Sequence, residues 1–255
     1  MASGPLTPAR LGQAALCYAR TLGWRVFPVV PGGKRPAIRD WPSQATTDEG
    51  AIRTWWDRQP DCNIGVVLGP ASGVDALDVD AHHGGEDALA ALQSAHGQLP
   101  DTPTVLTPHG GCHLYFRHPP KTVLRNNNTG LLGAGLDFKT AGGYCLLPPS
   151  RLEENGQALG AYHWESSSRP VLPGESGGLP FAELPGWIVA KLQASIQEAT
   201  AKATATPVSE VIPKGQRNAT LASLAGTMRR RGLSPSALLA ALREENRSRC
   251  RPPLP

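Results

Sequence analysis

The chain has 255 residues, which is enough for one large domain with a small appendage or for two modest domains. Its 40% hydrophobic content supports a packed core. Because it has no apolar run of about 18 residues and no signal-peptide core, we expect a cytoplasmic protein without a membrane span. The net charge of +4 is uneven, since the part from Lys214 onward carries nine Lys or Arg against two Glu. A basic tail of this kind is typical of a nucleic-acid partner.

Five cysteines are scattered along the chain without a CxxC or CxxH pair. This spacing predicts reduced thiols that pack as small apolar side chains, and it predicts no zinc site. The 28 glycines and 25 prolines predict many turns and a fold that contains β-strands.

The first half of the chain alternates predicted helices and strands. Thr7 and Pro8 suit the N-cap and the first position of a helix that ends before Gly23. Then follow a strand, the loop PGGKRP, a helix, two strands and a short helix, predicted at residues 24–30, 31–36, 47–58, 63–68, 74–80 and 86–95.

The second half is richer in strands. Residues 104–107 and 112–117 are predicted to pair, and residues 136–139 and 144–147 to form a further pair, each around a Gly-Gly turn. Three more helices are predicted at residues 185–201, 218–231 and 234–246. This order of elements predicts an α+β fold with a mixed or antiparallel sheet.

The sharpest chemical feature is the pair Asp78 and Asp80 at the end of a predicted apolar strand. Side chains alternate along a strand, so both carboxylates are expected on one face. Two close carboxylates repel each other unless a cation lies between them, and Mg²⁺ or Mn²⁺ prefers such oxygen ligands. The alternative is that the pair caps the turn into His82 and His83, which are adjacent and therefore poorly placed to share a metal ion.

A third acid, Asp137, lies in the apolar block GLDFKTAGGYCLLPPS. Phosphoryl transfer with two metal ions about 4 Å apart needs about three carboxylates, which makes Asp78, Asp80 and Asp137 the candidate ligands. Lys139 is two residues further along the same predicted strand, so it is expected on the same face, where it could contact a phosphate. A solvated surface lysine is the alternative.

His113 lies between these acids in the block GGCHLYFR. It shares a predicted strand face with Tyr115 and Arg117, and the three side chains could line a triphosphate and a sugar. The turn at Gly111 would let backbone amides approach an anion. For His113 alone, a core position or a metal ligand remains an alternative.

Three other catalytic motifs are absent from the sequence, which contains no GxxxxGK[ST], GxGxxG or HExxH. Trp55 and Trp56 have helical apolar spacing, and we expect them in the core rather than stacked on bases.

Several blocks follow one another in order along the chain: GWRVFPVVPGGKRP, NIGVVLG, LDVD, TPHGGCHLYFR, GLDFKTAGGYCLLPPS and LPGW. Together, over residues 15–190, they resemble the bifunctional primase-polymerase N-terminal domain of the archaeo-eukaryotic primase superfamily, which occurs in plasmid, phage and mobile-element replication proteins. Two positions depart from that pattern, because Gly111 stands where many members have Ser and Lys139 where they often have Arg.

The resemblance implies an RRM-like primase catalytic sheet beside a smaller α/β subdomain, in a catalytic domain over residues 1–198. It implies that Asp78, Asp80 and Asp137 carry two Mg²⁺ or Mn²⁺ ions, with no zinc, and that His113 holds the incoming triphosphate as a further catalytic residue. The full set of expected nucleotide-binding residues is His113, Lys139, Arg117, Tyr115 and Gly111.

Residues 199–213 are predicted to be a linker, although part of this stretch could extend the preceding helix. Residues 214–255 resemble the small helical unit that often follows such domains. In relatives this unit connects to a helicase domain or helps to initiate primers, so a helicase is an expected partner. Without a Walker motif, the chain is expected to be either a stand-alone polymerase or part of a longer protein. The residues expected to contact DNA are Lys214, Arg217, Arg229, Arg230 and Arg231.

The sequence therefore predicts a template-dependent nucleotidyltransferase, a DNA primase or DNA polymerase, that initiates or extends primers on single-stranded DNA with nucleoside triphosphates. A metal-dependent nuclease or phosphohydrolase could use the same acids, and release of pyrophosphate would distinguish the two. A non-catalytic single-stranded DNA-binding module is a third hypothesis, although such a module has no reason to gather carboxylates against DNA phosphates.

Overall fold

The computed structural model describes residues 9–127, 130–171, 178–205 and 211–254. The predicted helix start at Thr7 and Pro8 lies outside these residues. The chain forms two compact units, residues 1–197 and 198–255. No helix within the described ranges is long and apolar enough to cross a bilayer.

Seven helices and thirteen strands are defined in the described residues. The helices are α1 (Ala9–Leu22), α2 (Trp41–Gln44), α3 (Glu49–Arg58), α4 (Gly85–His96), α5 (Gly186–Ala205), α6 (Arg217–Arg230) and α7 (Pro235–Arg249). The strands are β1 (Val26–Val29), β2 (Asn63–Val67), β3 (Val74–Val79), β4 (Thr104–Leu106), β5 (Cys112–Arg117), β6 (Leu136–Lys139), β7 (Tyr144–Leu147), β8 (Arg151–Glu154), β9 (Gln157–Ala161), β10 (His163–Trp164), β11 (Ala182–Glu183), β12 (Ile212–Pro213) and β13 (Cys250–Arg251).

Two main sheets build the first unit, and β8 and β9 form a separate antiparallel pair. The smaller sheet has the strand order β1-β2-β7, and all of its pairs are antiparallel. The larger sheet has the order β10-β4-β5-β3-β6, and β11 adds a parallel pair to β5. The α+β class that the sequence predicts is therefore confirmed.

An aromatic cluster fills the core beneath the larger sheet. Trp24 stacks on Tyr115 with ring centroids 5.6 Å apart, and it also contacts Tyr18, Trp164 and Phe181. Strand β2 is buried along its whole length, and its residues other than Asn63 are apolar or glycine. The smaller sheet and the middle of β5 therefore pack against the same hydrophobic core.

Local capping explains where two helices begin. Asp48 precedes α3, and its side chain accepts a hydrogen bond from the backbone N–H of Ala51. Ser234 precedes α7 and accepts from Ala237, with Pro235 at the first helical position. Trp56 of α3 is buried, as predicted, and Trp55 packs against the same core.

The fold differs from the sequence-based expectation of local structure at three places. Strands β6 and β7 do not pair with each other, because β6 pairs with β3 in the larger sheet and β7 with β2 in the smaller one. The β8–β9 hairpin was not predicted, since its outward residues are mostly polar and Gly-rich. Helix α5 continues to Ala205, so the first part of the predicted linker is helical, as its Ala-rich composition favours.

The second unit contains α6 and α7. The short strands β12 and β13, which precede α6 and follow α7, form a parallel pair. Arg217 donates from Nη1 to the backbone carbonyl of Pro252 over 2.6 Å. Asn246 donates to the carbonyl of Leu254 and accepts from its N–H. These bonds fasten the end of the described chain onto the two helices.

Candidate active site

Three neighbouring strands of the larger sheet carry the candidate site. Asp78 in β3 lies directly opposite His113 in β5 and directly opposite Asp137 in β6. Opposite residues in antiparallel strands share a face, with Cβ atoms about 5 Å apart. The fold therefore places these three predicted site residues side by side, although they are far apart in the sequence.

Lys139 joins the two acids as an internal counterion. Its Nζ lies 3.1 Å from Asp78 Oδ2 and 3.3 Å from Asp137 Oδ2. Burial lowers the pKa of Lys139, but the two carboxylates outweigh burial and hold this pKa above its ordinary value. The sequence predicted a phosphate contact for Lys139, whereas its charged ammonium here contacts the carboxylates.

His113 is buried at the edge of the site, with its side chain only 8% exposed. Its Nε2 lies 3.5 Å from Asp78 Oδ1, which is too long for a strong hydrogen bond. Burial lowers the pKa of His113, Asp78 opposes this effect, and the nearby charges of Lys139 and Lys34 add to it. The lowered pKa favours the neutral imidazole, and the side chain of His113 lines both cavities at the site.

Asp80 lies just beyond the end of β3 and caps the turn that follows. One carboxylate oxygen accepts from the backbone N–H of His82 at 3.0 Å, and the other lies 2.7 Å from His83 Nδ1. The contact with His83 lowers the pKa of Asp80. The turn-capping alternative noted from the sequence is thus present in the structure, and a ligand role for Asp80 remains a prediction.

Two cavities flank Asp78 and His113. The larger, about 440 Å³, is lined by Asp137, Lys139, Asn126 and Tyr144 among others, and we call it the Asp137 cavity. The smaller, about 270 Å³, contains Asp80, His82, His83 and His109, and we call it the Asp80 cavity. Four side chains line both cavities: Lys34, Asp78, His113 and Tyr162.

Sequence reasoning missed Lys34 and Tyr162 as parts of this site. Lys34 belongs to the PGGKRP loop, whose glycines and prolines signal a turn but do not indicate what the turn faces. Tyr162 follows the unpredicted β8–β9 hairpin and lies 5.9 Å from His113 between ring centroids. Both come from segments outside the three strands that carry the acids.

Gly111 has a steric role at the start of β5. A Cβ atom built there would lie 2.2 Å from the backbone oxygen of Val79, far inside van der Waals contact. Because glycine has no Cβ atom, the start of β5 can approach the end of β3 next to Asp80. Gly111 also lines the Asp80 cavity, in keeping with the predicted approach of backbone to a ligand.

The donor set can be tested against the divalent metal that the sequence predicts. Among the described residues, no group of three or more His, Cys, Asp or Glu side chains is arranged to hold an ion. However, Asp78 and Asp137 already share one cation, the Lys139 ammonium. Their oxygens have the chemistry that Mg²⁺ and Mn²⁺ prefer, so this pair fits one ion once the lysine moves aside.

Two residues predicted to bind nucleotide lie away from the cavities. Tyr115 is completely buried and packs between His113 and the ring of Trp24, so its phenol belongs to the core. Arg117, at the far end of β5, is exposed and pairs with Glu183 at 3.3 Å. The strand face was predicted correctly, but the strand runs from the cavities into the core and out to the opposite surface.

The residues predicted to contact DNA all belong to the second unit. Lys214, Arg229 and Arg231 are exposed, whereas Arg217 is engaged with the carbonyl of Pro252. The side chain of Arg230 lies outside the described residues. Three cations are thus available to a phosphate backbone on the surface of this unit.

Comparison with known protein families gives two matches. Residues 15–187 match the family model described as bifunctional DNA primase/polymerase, N-terminal, which covers more than half of the chain. Residues 205–255 match the model described as primase C terminal 1. A search of curated proteins finds no match.

Proposed function

The chain belongs to the bifunctional DNA primase/polymerase family, which gives it a primase or polymerase function in DNA replication, and we propose from this premise that it is a template-dependent nucleotidyltransferase. It would initiate or extend primers on single-stranded DNA from nucleoside triphosphates. One observation supports this proposal above others. Asp78, Asp137 and His113 converge on adjacent strands beside two cavities.

Asp78 and Asp137, together with Asp80 from the adjoining turn, would hold Mg²⁺ or Mn²⁺. Such ions, when bound, make a sugar hydroxyl more acidic and offset the charge that develops on the leaving pyrophosphate. The remaining work belongs to the side chains of the chain itself. Phosphoryl transfer requires mainly positioning and charge compensation, with little covalent chemistry from the protein.

His113 is suited to a phosphate because it is neutral and held in place. A neutral imidazole carries one N–H donor, and its burial against Tyr115 and Tyr162 restricts the ring orientation. A donor at Nε2 would direct that N–H toward the oxygen of Asp78 or, when a triphosphate is bound, toward a phosphate oxygen. His113 therefore orients the nucleotide relative to the acids.

The template would be held in part by the second unit, through Lys214, Arg217 and the arginines at 229–231. Phosphate contacts of this kind are independent of base sequence. They would also leave the cavities of the first unit to the nucleotide and the primer end. A helicase partner, expected from the resemblance of this unit, remains a proposal.

The test is an incorporation assay with the full chain, a single-stranded template, Mn²⁺ and labelled nucleoside triphosphates, with and without a primer. We expect template-dependent incorporation that releases one pyrophosphate per nucleotide, and we expect Asp78→Asn to abolish it. Asp61→Asn is the matched control, since Asp61 is exposed and lines neither cavity.

Other products would point to a different function. Shortening of the template, or release of phosphate from triphosphates without a template, would support a nuclease or phosphohydrolase. DNA binding without any metal-dependent chemistry would support a binding module.

A further inference from the structure

Lys34 brings a positive charge without a direct partner to the candidate site. Among the described residues, its ammonium makes no hydrogen bond or ion pair, although it lines both the Asp137 cavity and the Asp80 cavity. Its charge also reaches the buried imidazole, because it contributes to the lowered pKa of His113. No role for Lys34 is predicted from the sequence.

Three residues from other segments donate hydrogen bonds to the backbone of the loop that carries Lys34. Tyr144 donates its hydroxyl to the backbone carbonyl of Lys34 at 2.7 Å. The buried side chain of Asn63 donates to the carbonyl of Gly33 at 3.0 Å, and the N–H of Glu153 donates to the carbonyl of Gly32 at 2.8 Å. The backbone is thus positioned, while the long side chain stays able to adjust to a ligand.

The charges of the site call for an anion once a metal ion is bound. Lys139 contacts Asp78 and Asp137 but offsets only one of their two negative charges, and Asp80 is contacted by His82 and His83 without losing its charge. The three carboxylates and the ammoniums of Lys34 and Lys139 therefore leave one net negative charge, which a divalent metal ion would change to one net positive charge. An anion with several negative oxygens would balance that charge and bring Lys34 a partner.

We propose that Lys34 is a nucleotide-binding residue, and that its ammonium binds the β- or γ-phosphate of the incoming nucleoside triphosphate while His113 binds the same triphosphate from the facing sheet. This inference rests on the proposed nucleotidyltransferase function and adds to it the residue that recognises the triphosphate. Lysine suits this role as a flexible point charge that needs no bidentate geometry. The triphosphate would then lie between the two sheets, where Lys34 and His113 line the same space.

The test measures binding to the full chain by calorimetry, without template and with Ca²⁺ in place of Mg²⁺ so that no turnover occurs. We expect Lys34→Ala to weaken binding of a nucleoside triphosphate by about 10- to 100-fold, the range for a lost hydrogen bond to a charged group. Binding of the corresponding monophosphate, already weak, should change less than about twofold. Lys34→Arg should retain most of the triphosphate affinity.

Arg35→Ala provides the matched control. Arg35 is the adjacent cation on the same loop, it is exposed, and it lines neither cavity. Its loss should leave triphosphate binding unchanged. Thermal unfolding of each variant checks the fold, and since Lys34 is itself exposed, we expect unchanged melting temperatures.

Four outcomes would overturn the inference. Equal triphosphate affinity in Lys34→Ala and the wild type would refute the inference without contradicting the proposed function. Tighter Mn²⁺ binding by Lys34→Ala with unchanged triphosphate affinity would make Lys34 a counterion for the acids only. Weaker binding of an oligothymidine strand alone would instead assign it to the DNA backbone. A wild-type chain that binds no triphosphate at all would overturn both the inference and the proposed function.

Discussion

Removal of the internal counterion should make the metal site easier to fill. In Lys139→Met, Asp78 and Asp137 lose the ammonium that lies 3.1 Å and 3.3 Å from their oxygens. A metal ion that binds the wild-type chain must first separate these contacts, whereas in the variant it meets two free carboxylates. Methionine keeps a similar length and fills the same space without the charge.

The size of the effect follows from the geometry. Each contact is a charge-assisted pair whose lysine is 27% exposed, so solvent screens it. Discounted for that screening, each contact contributes about 1 kcal/mol, and the two together about 2 kcal/mol. This corresponds to about 30-fold tighter Mn²⁺ binding. The metal-free variant should be destabilised by a similar amount, because two neighbouring carboxylates then repel each other.

The assay is a titration of Mn²⁺ followed by electron paramagnetic resonance of the free ion, without nucleotide or DNA. Lys121→Met is the control, since Lys121 is an exposed lysine that lines neither cavity. Unchanged or weaker Mn²⁺ binding by Lys139→Met would refute the reasoning, because it would show that the ammonium does not compete for the two acids.

Three further predictions concern the remaining site residues. Asp80→Ala should abolish nucleotide incorporation while costing only about 1 kcal/mol of unfolding free energy for the lost cap; incorporation at the wild-type rate would remove Asp80 from the site. His113→Ala should weaken triphosphate binding by about tenfold, the cost of one hydrogen bond to a charged group, with Mn²⁺ affinity little changed; an equal loss of Mn²⁺ affinity would instead make His113 a metal ligand. Replacing Arg229, Arg230 and Arg231 by Gln should lower the slope of log affinity against log salt for single-stranded DNA by about 2, since each phosphate contact contributes about 0.7; an unchanged slope would exclude this segment from template binding.

Periodicity predicted the strands of the site well. Strands β5, β6 and β7 begin and end at the predicted residues, because alternating apolar side chains bounded by glycine turns mark them clearly. The acid pair and His113 were identified for the same reason, since they interrupt otherwise apolar strands. Asp78 does lie on the face that alternation assigns to it, opposite His113 and Asp137.

Strand partners could not be predicted from local patterns. The Gly142 and Gly143 turn between β6 and β7 has the signature of a hairpin, yet the two strands enter different sheets. Which strand lies beside which depends on packing between distant segments, and this packing leaves no mark within a short window of sequence. The same limit explains Tyr115, whose place in the core depends on the contact with Trp24.

Side chains that act from loops were the hardest to predict. Lys34 has no periodic context, and its position depends on bonds from Asn63 and Tyr144 that lie far along the chain. Lys139 was placed on the correct face, and its predicted phosphate contact stays a prediction. Its contact with Asp78 could not be predicted, because the sequence does not show that β3 lies beside β6.

The close approach of β5 to β3 at Gly111 limits which residues from related proteins can replace this glycine. The domains that this chain resembles often have Ser at this position. In this chain, however, a Cβ atom here would lie 2.2 Å from the backbone oxygen of Val79. Replacing Gly111 by Ser would therefore require the end of β3 to move, and with it the turn that carries Asp80. The effect of this substitution therefore depends on the conformation of the end of β3. If the turn before β5 were grafted from a relative that has Ser, the end of β3 would have to be grafted from the same relative.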